Sequence, residues 1–208
     1  WEQQLNEVPN KITKISRAQI LFRQPQTSAD MLAQTGTVFI QKSQMGGGSP
    51  MIRGFATNRV LLVVDGVRMN NAIYRSGNLQ NVISIDPLAI EESEVVFGPG
   101  SLIYGSDAIG GVMDFHSLEP RFSSDSTTLV EAGALARYSS ANREKTIHAD
   151  LNIGSRRVSW VGSITYSSFD DLKTKNSTKK APYEMAKVQK DTKVITIFMY
   201  VYGLASVT

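Results

Sequence analysis

Between Met51 and Phe115 the chain alternates short apolar runs with glycines at nearly every boundary, and that spacing leaves few ways to fold it. Arg59 to Asp65 (RVLLVVD) is an unbroken apolar run closed by Asp65-Gly66, the pattern of a strand buried on both faces and ended by a turn. Ile85-Asp86-Pro87 opens a short helix, with Asp86 as cap and Pro87 at the first helical position. Glu94 to Phe97 reads as another short buried strand, broken by Gly98-Pro99-Gly100. Ser101 then starts a turn or helix (LIYGSDA), and Gly110-Gly111 precedes a last strand, Val112 to Phe115. These elements predict a small α+β unit, a mixed sheet with short helices.

Upstream, Ile12 to Ile20 has the texture of a short strand, and Pro25 interrupts the chain. Thr27-Ser28-Ala29-Asp30 resembles a capping box for a short helix through Met31, Leu32 and Gln34. Gly36 ends that helix as a left-handed cap. Val38 to Gln41 is strand-like, and Gln44 to Pro50 (QMGGGSP) predicts a projecting loop.

Composition narrows the function. A hydrophobic content of 41% and a charged content of 20% suit a folded chain. The net charge of +3 is small and its basic residues are scattered without interleaved aromatics, which argues against a nucleic-acid partner. With no cysteine there is no disulfide framework, thiolate metal site or cysteine nucleophile. No apolar run reaches the roughly 18 residues of a membrane-spanning helix. The chain begins at Trp1 rather than Met, so it is expected to be a processed protein, a piece of a longer one, or both.

A serine-rich break at Pro120 to Ser126 marks a domain boundary, and the texture then changes. Ile147, Ala149, Leu151 and Ile153 alternate with Thr146, His148, Asp150 and Asn152. Val158, Trp160, Ile164 and Tyr166 alternate with Ser159, Ser163 and Thr165, and Gly154 to Arg157 is a tight turn between the two runs. This period-2 pattern predicts antiparallel strands with one apolar face, from either a water-soluble sandwich or a membrane barrel. Thr127 to Tyr138 would be the first strand of the series. Lys173 to Lys193 is lysine-rich without pattern, and Val194 to Tyr202 (VITIFMYVY) reads as apolar on both faces, unlike an alternating strand.

One motif series carries a family resemblance. Ile52-Arg53-Gly54, Asp65-Gly66-Val67, Ile90-Glu91, Glu94-Val95, Gly98-Pro99, Tyr104-Gly105 and Gly110-Gly111-Val112 stand in the order found in the plug domain of TonB-dependent outer-membrane receptors, which this chain resembles from about Ile12 to Leu118. The resemblance implies a plug domain over 1–121, first barrel strands over 122–171, and an unassigned tail over 172–208. After a plug, the alternation becomes that of a transmembrane barrel, apolar toward lipid, with Trp160 and Tyr166 on the outer face. A plugged barrel needs about 22 strands of about 10 residues each. A chain of 208 residues leaves too few after the boundary to close one. A soluble periplasmic binding module and a non-functional truncated receptor are therefore the alternative expectations.

The resemblance also assigns roles. Arg53 lies between apolar neighbours, which predicts partial burial and a carboxylate partner. In the family that arginine pairs with acidic groups on the barrel wall and locks the plug; an internal pair with Asp65, Glu91 or Glu94 is the other option. A second locking arginine often precedes the family's Gly-Pro, but Phe97 stands there in this chain. Outward loops would touch ligand: Gln44 to Pro50, Ala56 to Asn58, and Asn70 to Asn81, the last offering Tyr74 for stacking and Arg75 and Asn78 for polar contacts. NAIYRSGNLQ is also similar to the haem- or haemoglobin-uptake branch. The implied partners are the TonB energy-coupling complex, a ligand such as an iron chelate or haem, and the outer membrane. No catalysis and no cofactor are expected. Asp65, Glu91 and Glu94 read as turn and strand charges rather than acid–base catalysts, GPGSLIYGS lacks a phosphate loop's Gly-Lys-Ser/Thr ending, and His116 and His148 have no ligand spacing.

Overall fold

The structure is a computed structural model that describes residues 11–44, 47–56, 59–69, 85–98, 104–105, 108–140, 143–169 and 192–203. The chain divides into two units, Trp1–Leu118 and Glu119–Thr208.

In the first unit, strand β1 (Ile12–Ser16) leads directly into helix α1 (Arg17–Arg23). The expected strand through Ile20 therefore stops at Ser16, where Gln19 Oε1 accepts from the Ser16 amide at 3.4 Å and starts the helix instead. Helix α2 (Ser28–Ala33) is capped by Thr27, whose hydroxyl accepts from the Asp30 amide at 3.2 Å. Gly36 beyond it takes φ 69°. Strands β2 (Phe39–Gln44), β3 (Gly47–Ile52) and β4 (Phe55–Ala56) form a small antiparallel sheet. The projecting loop expected at Gln44 to Pro50 is thus largely strand. Gly47 and Gly48 pair with β2, which satisfies backbone groups that composition alone leaves unassigned.

The main sheet combines β5 (Val60–Val64), β6 (Val67–Arg68), β7 (Ile90–Phe97) and β8 (Gly111–Ser117) with β1, in the order β1-β7-β8-β5-β6. Only β5 and β8 run parallel. A 3-10 turn at Pro87–Ala89 precedes β7, and Asp86 Oδ1 accepts from the Leu88 amide at 3.0 Å to cap it. The period-2 geometry of β5 explains its unbroken apolar run: Val60 and Leu62 join Ile20, Met31, Leu32, Val95, Met113 and Phe115 in one core, while Leu61 and Val63 join Val96, Ala108 and Val112 in another.

Two adjacent glycines bring the hairpin and the sheet together. A Cβ on Gly110 would lie 2.4 Å from Phe55 Cβ and 2.9 Å from the Arg59 carbonyl, and one on Gly111 would lie 2.7 Å from the Val96 carbonyl. The Gly110 amide donates to that Arg59 carbonyl at 2.6 Å.

The second unit is a four-stranded antiparallel sheet of β9 (Leu129–Ser139), β10 (Glu144–Gly154), β11 (Val158–Phe169) and β12 (Thr192–Gly203), in the order β12-β11-β10-β9. Its burial is the reverse of a water-soluble sheet. Ile147, Ile153, Val158, Ile164, Ile195, Ile197 and Met199 are exposed, Ile197 at 72%, whereas Thr146, His148, Asn152, Ser159, Ser163 and Thr165 are buried. The run Val194 to Tyr202, expected to lack a strand pattern, pairs along its length with β11. Its outer face is aliphatic like its neighbours', but its inner face carries the stacked pair Phe198 and Tyr200, centroids 5.9 Å apart, and these hide the alternation.

Gly110→Ala is expected to lower stability by about 1–3 kcal/mol, because backbone as well as a side chain must give way. Thermal unfolding of the chain in detergent checks it.

Candidate functional site

Two hairpin turns are built alike. Ile52 pairs with Phe55 across Arg53-Gly54, and Val64 pairs with Val67 across Asp65-Gly66. All four turn residues have positive φ: Arg53 49°, Gly54 84°, Asp65 48° and Gly66 77°. Two-residue loops of this kind match the twist of the paired strands and favour Asn, Asp or Gly, so an arginine at the first position is held against its backbone preference.

The turn also corrects the expected burial of Arg53. Ile52 occupies the core position at 0% exposure, and the reversal after it puts Arg53 at the surface. Among the described residues Arg53 makes no ion pair with Asp65, Glu91 or Glu94. Its guanidinium stands over the Phe97 ring, 5.8 Å from the centroid, and Lys11 Nζ stands 5.7 Å from the same centroid. Phe97 is buried and donates its amide to the Lys11 carbonyl at 2.9 Å. Asp65 is occupied elsewhere: its carboxylate accepts from the Ser117 amide at 2.8 Å and the Ser117 hydroxyl at 2.7 Å, tying the turn to the end of β8.

Glu94 belongs to an ionisable seam. Across β1, β7 and β8, register places Lys14 beside Glu94 and Glu94 beside Asp114, with Glu92 beside His116 one step along. Lys14 is ion-paired with Glu92, and His116 Nε2 lies 3.8 Å from Asp114 Oδ2. Asp114 Oδ1 is buried without a hydrogen-bond partner among the described residues. Burial pushes the Asp114 carboxyl above its ordinary 3.8, helped by the charge of Asp65 and opposed by His116 and the Phe115 amide. Burial and a hydrogen bond that protonated Glu94 donates to Glu92 push Glu94 above 4.5, and burial beside Asp114 and Glu94 raises Tyr104.

Of the other expected site residues, Glu91 is half-buried on β7, while Gly98 and Gly105 take φ 96° and 92°. Tyr74, Arg75, Asn78 and Pro99 lie outside the described residues, as do Thr57 and Asn58; Ala56 ends β4. Sequence reasoning gave His148 no role beyond a polar strand position. It is 1% exposed, its Nδ1 2.7 Å from Thr165 Oγ1 and its Nε2 3.2 Å from Asp150 Oδ1. On the same face Arg137 Nε donates to Glu144 Oε1 at 3.0 Å, and the Arg121 amide donates to Asn152 Oδ1 at 3.0 Å. The period-2 pattern had placed the β10 members on one face; the cross-strand partners came only with the register. No group of three potential metal ligands converges among the described residues.

Comparison with known proteins decides the family. Residues 4–112 match the TonB-dependent Receptor Plug Domain. The chain belongs to this family. A vitamin B12 transporter, BtuB, of Vibrio vulnificus (strain CMCP6) is 39% identical over 141 residues, covering 66% of this chain and 22% of the relative. A hemin receptor of Yersinia pestis is 32% identical over 114 residues, covering 54% of this chain and 16% of the relative. Among solved structures, the copper transporter OprC superposes with a TM-score of 0.65 at 19% identity, covering 77% of this chain and 24% of that one, which shows a shared fold. The plug with its barrel strands is therefore the fold of TonB-dependent receptors. Such receptors are outer-membrane proteins, and the relatives are transporters and receptors rather than enzymes. The chain spans about a fifth of the length of the curated relatives it matches.

Asp114 and Glu94 bind their protons more tightly folded than unfolded, so the stability they contribute is greatest at low pH and falls as pH rises from about 4 through their raised values. Asp114→Asn is expected to raise the unfolding temperature at neutral pH and to flatten the fall between acid and neutral, measured by thermal scans across pH.

Proposed function

We propose that the chain is the gate and the first wall strands of an outer-membrane transporter that takes up a scarce ligand, an iron chelate, haem or a corrinoid, by coupling to the TonB complex. The observation that carries this reading is the reversed burial of the β9–β12 sheet in a chain that also carries a plug-family unit. An aliphatic face of four strands, each 11 or 12 residues long, suits hydrocarbon, and a spanning strand needs about 9–11 residues. In water the same face would be a standing aggregation hazard.

In this mechanism ligand binds on the outward side of the plug. The inner-membrane complex then pulls on a segment N-terminal to it, and the plug rearranges to open a path. Tyr74, Arg75 and Asn78 are the proposed ligand contacts, by stacking and by polar bonds. Arg53 is the proposed lock: its exposed guanidinium, fixed at a hairpin tip, pairs with a carboxylate of the barrel wall. The glycine and turn motifs from Gly54 in the β3–β4 turn through Gly111 at the start of β8 position it. Residues 1–121 act as plug and 122–171 as wall, and we extend the wall to β12 within 172–208. The vitamin B12 and hemin relatives support the ligand class without choosing within it.

Two results check the reading. Ile164→Lys, placed in the complete receptor, should cost about 1–4 kcal/mol of membrane-inserted stability depending on depth, seen as reduced heat-resistant folded receptor in outer membranes. Arg53→Ala should raise passive leakage of a large hydrophilic antibiotic about tenfold through loss of a charge-assisted pair; unchanged leakage and uptake would remove the lock.

A further inference from the structure

The chain passes from the first unit into the second between two fixed bonds. The Leu118 amide donates to the Ala89 carbonyl at 3.1 Å, within the first unit, and the Arg121 amide donates to Asn152 Oδ1 at 3.0 Å, within the second. Two residues, Glu119 and Pro120, lie between them in the chain. The bond at Arg121 is one of a set. Asn152 Nδ2 donates back to the Arg121 carbonyl at 3.3 Å, so one side-chain amide exchanges two hydrogen bonds with one backbone residue, as paired residues do in an antiparallel ladder. Ser159 Oγ donates to the same carbonyl at 2.7 Å, and the Ser123 amide donates to the Ser155 carbonyl at 3.3 Å.

The site is built for this segment. Asn152 is 6% exposed and Ser159 0%, and buried polar groups are kept where a partner satisfies them. Of the side chains this short, asparagine alone can accept from an N–H and donate to a C=O at once. Gly154, on the same face, leaves the room: a Cβ there would overlap the Arg121 carbonyl oxygen. We propose that this end of the β10–β11 hairpin is a docking site for extended peptide backbone, that Arg121 to Ser123 is its occupant, and that the clasp stays closed while the plug unit rearranges or unfolds, so that movement of the plug ends at Pro120. The clasp lies within the second unit and stands apart from the Arg53 lock; its role in a receptor rests on the wall reading.

The test is limited trypsin digestion of the complete receptor in detergent micelles, at urea concentrations stepped through unfolding of the plug unit. No lysine or arginine lies between Arg75 and Arg121, so a clasped chain leaves a fragment beginning at Ser76 and an open one a fragment beginning at Phe122. The Ser76 fragment is expected from the wild type, because the protease must reach the Arg121 carbonyl that Asn152 and Ser159 hold. Ser159→Ala and Asn152→Asp are each expected to speed cleavage after Arg121 about tenfold, the effect of one lost buried hydrogen bond on the open population. Asn152→Asp keeps the size and the acceptor and removes only the donor, so a packing role would leave its cleavage at the wild-type rate. Thr165→Ala, on the same buried face but outside the clasp, should leave that rate unchanged. A wild-type fragment beginning at Phe122 as soon as the plug unfolds, or equal cleavage in the wild type and Asn152→Asp, would overturn the clasp. Folded receptor is scored separately by its heat-resistant band, whose absence from the wild type would overturn the wall reading instead.

Discussion

The close approach at Gly110-Gly111 is the contact on which the plug unit depends. It seats the β3–β4 hairpin, through Ile52 and Phe55, against the start of β8, where any side chain would collide with backbone. Strand β8 in turn pairs with β5 in parallel and with β7 antiparallel, so the two halves of the main sheet meet only through it. The same seating aims the Arg53 turn at Phe97, and Asp65 secures the neighbouring turn to Ser117. A plug built this way is a small sheet with two short helices, and its rigidity comes from backbone proximity as much as from a deep core.

Charge is distributed to match. Strands β1, β7 and β8 of the plug sheet carry Lys14, Glu92, Glu94, Asp114 and His116 in adjacent register, including a buried carboxylate oxygen with no partner among the described residues. Like charges facing each other across strands weaken pairing. That seam lies on the β1–β7–β8 side of the sheet. The wall strands pair Arg137 with Glu144 and His148 with Asp150 on the buried face, and the opposite face is mostly apolar.

What could be read from the residues was local. The β5 run, the Asp65-Gly66 turn, the Asp86 and Thr27 caps and the alternation of β10 and β11 are each specified within a few neighbouring positions, and each was found where expected. Failures came where a distant partner decides. The glycines of β3 are indistinguishable from a loop until Phe39–Gln44 pairs with them. Arg53 looked buried because its neighbours are apolar; an Arg-Gly turn gives none of the usual Asn-Gly or Asp-Gly warning. β12 lost its pattern to Phe198 and Tyr200, two aromatics on the face where the neighbouring strand carries Ser163 and Val161. The ionisable seam joins positions on three strands that are about twenty to a hundred residues apart in the chain, so only register reveals it.

The central claim is that the second unit is barrel wall, with its aliphatic face in lipid. The most direct measurement compares two neighbouring positions on β11 in the receptor reconstituted in bilayers, using a fluorophore on Ile164→Cys and on Thr165→Cys and a lipid-phase quencher. Adjacent residues share the same depth and differ only in face. Strong quenching at 164 with little at 165 is expected. Equal quenching at both positions, or the reverse order, would contradict the account.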